Sequence, residues 1–74
     1  MIQTGKYQHY KGKYYDVIGI VRHSETLEEL VLYKALYETE FGKDSLWVRP
    51  KTMFFEKITI NGQQVERFKF IAPH

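Results

Sequence analysis

The stretch that decides the fold is VRHSETLEELVLYKALYETEF, which runs from Val21 to Phe41. Thr26 followed by Glu29 matches the capping box that begins many helices, and a helical stripe of apolar residues crosses it. Extending that stripe leaves large apolar residues outside it, namely Leu32, Tyr33, Leu36 and Tyr37. Such a helix would be apolar on nearly every side, and a chain of 74 residues has too little protein to bury it.

The same residues make a better strand. In an extended chain one face would carry Val31, Tyr33, Ala35 and Tyr37, and the other would carry Leu30, Leu32, Lys34 and Leu36. Valine and tyrosine are also enriched in strands. We therefore predict that residues Leu30–Tyr37 form a strand.

A hairpin is predicted around Asn61-Gly62, because this pair readily adopts the positive φ angles of a two-residue type I′ turn. The resulting register pairs Lys57 with Glu66, Glu56 with Arg67, Phe55 with Phe68, and Ile58 with Val65. Each such pair contributes about 0.2–1 kcal/mol, and slipping the register by one residue would break all four.

The remaining segments also indicate strands separated by turns. Lys6–Tyr10 and Lys13–Arg22 flank the turn residues Lys11-Gly12, and Gly19 within the second strand suggests a bend. In that strand, alternation puts Tyr15, Val17, Gly19 and Val21 on one side and Tyr14, Asp16, Ile18 and Ile20 on the other. Leu46–Arg49 is a short strand that ends before Pro50, and Lys51–Phe54 is predicted to be one 3₁₀ turn. Together these features predict a small all-β fold of five to six short antiparallel strands.

Composition limits the domain count and the class of protein. The chain, residues 1–74, is long enough for one domain, and it has no cysteine for a disulfide or a thiolate metal site. No apolar run approaches the ~20 residues of a membrane span, and the N-terminus has no signal-peptide core, so we expect a cytoplasmic protein. The net charge is +2, without a run of like charges. A clustered basic face is the usual mark of strong nucleic-acid binding.

Several separated motifs resemble a bacterial family catalogued as domain of unknown function 1653. The resemblance runs from about Gly5 to Phe70, and its most distinctive pieces are RHSET at 22–26, Tyr33 with Leu36-Tyr37, and WVRP at 47–50 with Met53-Phe54. The resemblance implies an SH3-type β-barrel with a one-turn 3₁₀ element. It implies no established activity, so no catalytic residue is carried over from it.

Nucleophilic catalysis and metal binding are only weakly indicated by the sequence. His23-Ser24-Glu25 contains triad residue types, but neighbours on an extended chain point to opposite faces, so the adjacency does not build a triad. The histidines, at positions 9, 23 and 74, share no short ligand spacing, and carboxylates near His23 are the ordinary composition of a solvated loop. We predict no catalytic residue, no metal site and no cofactor.

The density of aromatic residues points instead to a binding groove. The chain has six tyrosines and one tryptophan, and tyrosine tends to occupy rims where one end of the ring is wet. We predict a groove with aromatic walls and polar specificity groups; its candidate residues are Arg22, His23, Glu25, Tyr33, Tyr37, Trp47, Arg49 and Phe54. Arg22 and Arg49 would be either structural salt-bridge partners or a fork for a carboxylate or phosphate.

Three functions remain open at this level, in order of preference. The first is a non-catalytic module that holds a peptide or protein partner. The second is a module that binds single-stranded nucleic acid or RNA by stacking bases on aromatic rings. The third is an enzyme that uses His23 with a carboxylate. A homodimer on the aromatic face would also account for the rings, and no membrane partner is expected.

Overall fold

A computed structural model describes residues 2–73 as an all-β domain, which confirms the predicted fold class. The elements in chain order are β1 (Gly5–His9), β2 (Tyr14–Arg22), β3 (Glu29–Ala35), β4 (Leu46–Pro50), the short helix α1 (Lys51–Phe54), β5 (Lys57–Ile60), β6 (Gln63–Glu66) and β7 (Phe68–Ala72). The SH3-type description stays a prediction of the resemblance.

Two antiparallel sheets contain all of these strands. The larger sheet has the order β4-β3-β2-β1-β7, so the first strand lies inside the sheet, between β2 and β7. The smaller sheet is the β5–β6 hairpin. No helix among the described residues is long and apolar enough to cross a membrane.

The segment predicted to be a strand, Leu30–Tyr37, does form strand β3, although β3 ends at Ala35 rather than Tyr37. Val31, Tyr33 and Ala35 are all buried, so the predicted face that carries them is the one that packs in the core. The residues between them, on the other face, are half-buried. Packing in the core therefore overrides the helical capping signal at the head of this segment.

The predicted bend in β2 is a β-bulge. Val17 pairs with Tyr33, and Gly19 pairs with the next residue of β3, Leu32, so Ile18 has no partner of its own. The extra residue reverses the alternation, and Ile20 packs against the core instead of facing away from Val17. Assigning Ile20 to the face opposite Val17 was therefore wrong beyond the bulge.

The hairpin around Asn61-Gly62 is confirmed in most of its register. Asn61 and Gly62 have φ angles of 50° and 79°, as a type I′ turn requires, and Ile58 pairs with Val65. Lys57 pairs with Glu66, and Arg67 bonds Glu56 through both backbone and side chain. The chain bends at Arg67, so the segment predicted to be the second strand of the hairpin is divided into β6 and β7.

The predicted pair of Phe55 with Phe68 is wrong. Phe68 pairs with His9 of β1, and its ring stacks on Phe54 instead. Phe54 is fully buried, while Phe55 is 42% exposed. The helical turn at Lys51–Phe54 shifts the chain by one residue, so that Phe54 points into the core.

That turn is α-helical rather than 3₁₀. The amide of Phe55 donates to the carbonyl oxygen of Lys51, at an N–O distance of 3.2 Å, which is the i to i−4 bond of an α-helix. Pro50 precedes the turn, where a missing N–H and a fixed φ are tolerated. The position of the predicted turn was correct and its type was not.

Candidate functional site

Four of the predicted groove residues meet in one cleft of about 230 Å³. The cleft, called the tyrosine cleft below, is lined by Tyr15, Tyr33, Tyr37, Trp47 and Arg49. Tyr33 lies directly opposite Trp47 in the β3–β4 ladder, and Val31 lies opposite Arg49. Residues directly opposite each other share a face of the sheet, so β4 presents Trp47 and Arg49 on the same side as the buried residues of β3.

Hydrogen bonding fixes the tyrosines of the cleft. The hydroxyl groups of Tyr15 and Tyr37 are 2.7 Å apart, and each ring meets its neighbour edge to face. Tyr15 also packs edge to face on Tyr33, with ring centroids 5.3 Å apart. Burial, followed by the hydrogen bond with Tyr37, raises the pKa of Tyr15 well above its ordinary value. The cleft therefore has an aromatic lining whose rings are held by edge-to-face contacts and one hydroxyl–hydroxyl hydrogen bond.

Arg49 is the cation of this cleft. Its guanidinium carbon lies 5.6 Å from the ring centroid of Phe68. Within residues 2–73, no carboxylate oxygen lies within 4.0 Å of Arg49; the ion pairs there are Lys51 with Glu29 and Arg67 with Glu56. Arg49 thus contacts an aromatic ring, and within the described residues its N–H donors have no carboxylate partner.

An open strand edge borders the tyrosine cleft. β4 pairs with β3 on one side, and no strand within residues 2–73 pairs with its other side. Leu46 and Val48 are 59% and 52% exposed, and Trp47 is 37% exposed. An unpaired edge that carries apolar side chains is a template for another strand, and proteins usually protect such edges with charges or bulges.

The hydrogen-bond register identifies which groups the open edge offers. The amide of Ala35 donates to the carbonyl of Ser45, so in this ladder the alternate residues Trp47 and Arg49 bond to β3. The backbone groups of Leu46 and Val48 therefore point to the open side. Pro50 occupies the next outward position, where its missing N–H breaks no bond within the sheet.

Three predicted groove residues lie elsewhere, at the turn between β2 and β3. The Arg22 guanidinium donates to the carbonyl of Leu27 at 2.8 Å. The Nδ1 atom of His23 accepts the backbone amides of Glu25 and Thr26 at 3.1 and 3.3 Å. The contacts of Arg22 and His23 hold the turn together, and none of the three residues lines the tyrosine cleft.

Phe54 is also outside the tyrosine cleft, because its ring is fully buried beneath it. It contacts Tyr33 at a centroid separation of 5.5 Å. Tyr33 belongs to both regions, since it is almost completely buried and still lines the cleft. Phe54 therefore supports the site from the core.

Sequence reasoning did not include Tyr15, Phe41 or His9 among the candidate site residues. Tyr15 joins the cleft because alternation before the bulge turns it to the same side as Val17. Phe41 packs edge to face on Trp47, with centroids 5.4 Å apart, across a loop whose path the sequence does not reveal. His9 contacts both Tyr15 and Phe68, behind the cleft. Burial, and then the nearby Arg49, Arg67 and Lys11, lower the pKa of His9.

A larger cleft of about 450 Å³ lies between β1, β7 and the β5–β6 hairpin. Its lining consists of Gln8, His9, Tyr10, Ile60, Val65, Glu66 and Lys69. Its side chains include both a carboxylate and an ammonium group, and β7, which contributes Lys69, is the other edge strand of the larger sheet. Volume alone does not define a site. We place the candidate site at the tyrosine cleft, where Arg49, which has no carboxylate partner within residues 2–73, lies beside the backbone groups of the open β4 edge.

Metal-ligating side chains do not converge within the part of the chain that the structure describes: no group of three or more could hold a metal ion. His74, the third histidine considered from the sequence, lies outside the described residues.

These features define the class of protein. It is a small all-β domain with an aromatic, cationic cleft beside an open strand edge. The chain belongs to DUF1653, a family of proteins of unknown function, whose family model matches residues 5–70. This confirms the resemblance found in the sequence.

One solved structure extends the comparison to three dimensions. The chain is similar to a protein belonging to DUF1653 from Bordetella bronchiseptica, with 29% sequence identity and a TM-score of 0.87. The match covers 99% of this chain and 91% of that one. The comparison with curated proteins found no match.

Proposed function

We propose that the protein is a non-catalytic binding module that holds an extended segment of a peptide or protein partner at the tyrosine cleft. The observation that carries this proposal is the open edge of β4, which offers backbone groups at Leu46 and Val48 directly beside Trp47 and Arg49. Adding a strand to such an edge is a recurrent mode of peptide recognition, in which backbone bonds supply affinity and alternate side chains supply specificity.

Selection from a random-peptide display library tests this function without prior assumptions about the ligand. We expect selected peptides to change the emission of Trp47, the only tryptophan in the chain. Their amide chemical-shift changes should be confined to β4 and the tyrosine cleft. Shifts centred on the larger cleft, around Ile60 and Lys69, would contradict the proposed site. A library that yields no binder would contradict the function itself.

Nucleic-acid binding is the second candidate, favoured by one observation. The Lys13 ammonium group lies 4.7 Å from the ring centroid of Tyr37, so a second cation flanks the cleft that contains Arg49 and Trp47. A stacking platform flanked by cations is how sequence-tolerant single-strand binders work. Titration with mixed-sequence oligonucleotides should then quench Trp47 at low salt, and the quenching should weaken steeply by about 200 mM salt.

A further inference from the structure

The two faces of β4 differ in chemistry, and this difference restricts what can pair with its open edge. One face carries Trp47 and Arg49 toward the tyrosine cleft. The other carries Leu46 and Val48, and in the ladder Val48 lies opposite the half-buried Leu32. A strand added to β4 would continue both faces, because side chains directly opposite each other share a face.

From this we propose that the ligand is an extended segment with alternating apolar and acidic side chains, added antiparallel to β4. The proposal rests on the proposed function of the cleft and specifies the chemistry of its partner. Apolar residues of the segment lie opposite Leu46 and Val48, and its carboxylates lie on the cleft side, where Arg49 binds one of them.

Charge complementarity is the argument for the acidic positions. Arg49 has donor groups and, within residues 2–73, no carboxylate partner. The guanidinium of Arg67, in contrast, is already paired with Glu56 at 3.1 Å. A residue opposite Arg49 would be in a non-hydrogen-bonded pair, the closer of the two kinds of cross-strand pair, which brings a glutamate carboxylate within reach of the guanidinium.

The backbone register is the argument for the apolar positions and for the antiparallel direction. Opposite Leu46 and Val48, an antiparallel partner exchanges both of its backbone bonds with each residue. The side chains at those positions then extend the apolar strip that Leu46, Val48 and Leu32 begin. Pro50 offers only a carbonyl on the open side, so full pairing ends before it.

The proposal predicts which backbone amide groups of the ligand are needed for binding. The probe is an acetylated, amidated peptide of alternating valine and glutamate, titrated at neutral pH with Trp47 emission as the signal. Methylating the valine amide nitrogens should abolish binding, because those N–H groups face β4. Methylating the glutamate amides should leave binding nearly unchanged, because they point away from β4.

Two further comparisons test the acidic positions. The same peptide with glutamine for glutamate should bind roughly tenfold to hundredfold more weakly, since a charge-assisted hydrogen bond is lost. Arg49→Gln should remove that preference for glutamate. Lys57→Gln is the matched control, because it deletes one positive charge on the β5–β6 hairpin, outside the tyrosine cleft.

The outcomes separate the two proposals. Equal binding of the glutamate and glutamine peptides, or an unchanged preference in Arg49→Gln, overturns the acidic ligand while the cleft remains a peptide site. Loss of binding on methylating the glutamate amides overturns the antiparallel register. No binding of either peptide overturns the alternating ligand, and the random library then decides the proposed function. Quenching by oligonucleotides but not by peptides overturns both.

Discussion

Phe54 and Phe68 stack face to face, with ring centroids 4.1 Å apart and planes within 5° of parallel. This contact joins the helical turn α1 to strand β7 and lies beneath the tyrosine cleft. Tyr7 packs edge to face on Phe54, at a centroid separation of 5.5 Å, and completes the centre of the core.

Replacing Phe54 by alanine should destabilise the protein by about 3–5 kcal/mol, the usual cost of deleting a buried phenylalanine ring. Phe55→Ala is the matched control, because the adjacent ring is 42% exposed, and it should cost much less. Urea unfolding followed by Trp47 emission measures both values. Equal losses in the two variants would show that the helical turn does not place Phe54 in the core.

Gly5→Ala should be more destabilising than Gly12→Ala. Both glycines have positive φ angles, 133° and 107°, which cost an L-residue about 1–3 kcal/mol. A β-carbon at Gly5 would also lie 2.4 Å from the carbonyl oxygen of Ala72, whereas at Gly12 it would meet open space. Thermal unfolding of the two variants compares these costs. A Gly5 variant as stable as the Gly12 variant would contradict the close approach of β1 to β7.

The protein should lose stability as the pH rises above about 10, the ordinary pKa of tyrosine. Burial raises the pKa values of both Tyr15 and Tyr7, so the folded state holds these protons more tightly than the unfolded state does. The stabilisation that these two tyrosines contribute to the folded state is complete below pH 10 and declines above it. Tyr15→Phe should flatten the decline, because the contribution of Tyr15 is then removed. The free energy of unfolding of the unsubstituted protein and of Tyr15→Phe would be measured across the alkaline range. If it falls equally steeply with pH in both, the prediction is wrong.

His9 should make the protein less stable as the pH falls below about 6.5, the ordinary pKa of histidine. Burial and neighbouring cations lower its pKa in the folded state, so the unfolded state binds the proton more readily and gains from acid. Arg49→Gln should raise the pKa of His9, because one of those cations is removed. An NMR titration of the His9 ring measures this directly. Lys57→Gln is the control, and a His9 pKa that responds equally to both variants would refute the assigned cause.

Much of the fold was predictable because its signals are local. The alternation through Val31, Tyr33 and Ala35 and the turn chemistry of Asn61-Gly62 each depend on neighbouring residues. Gly19 indicated the bend in β2, but neither the reversal of alternation that puts Ile20 against the core nor the rotation that buries Phe54 rather than Phe55 was predicted. Both are set by how distant strands close around the core, and a single sequence carries no signal for them.

The candidate site was predictable only in part, for the same reason. Tyr33, Tyr37, Trp47 and Arg49 line one cleft because the β3–β4 ladder and the segment after β3 bring them together. Arg22 and His23 share the polar character of site residues, but in the structure their side-chain groups bond to the turn backbone. Sequence reveals which side chains are suited to binding, and folding decides which of them are already occupied.

The interior position of β1, between β2 and β7, has a consequence for how the chain is made. Lys6 pairs with Ala72, and the Phe68 ring that stacks on Phe54 belongs to the same late strand, β7. A ribosome synthesises β1 first among the strands and β7 last, so one side of β1 stays unpaired until the final strand emerges. The nascent chain therefore completes the pairing of β1, and with it the core, only when the last strand of the domain has been synthesised.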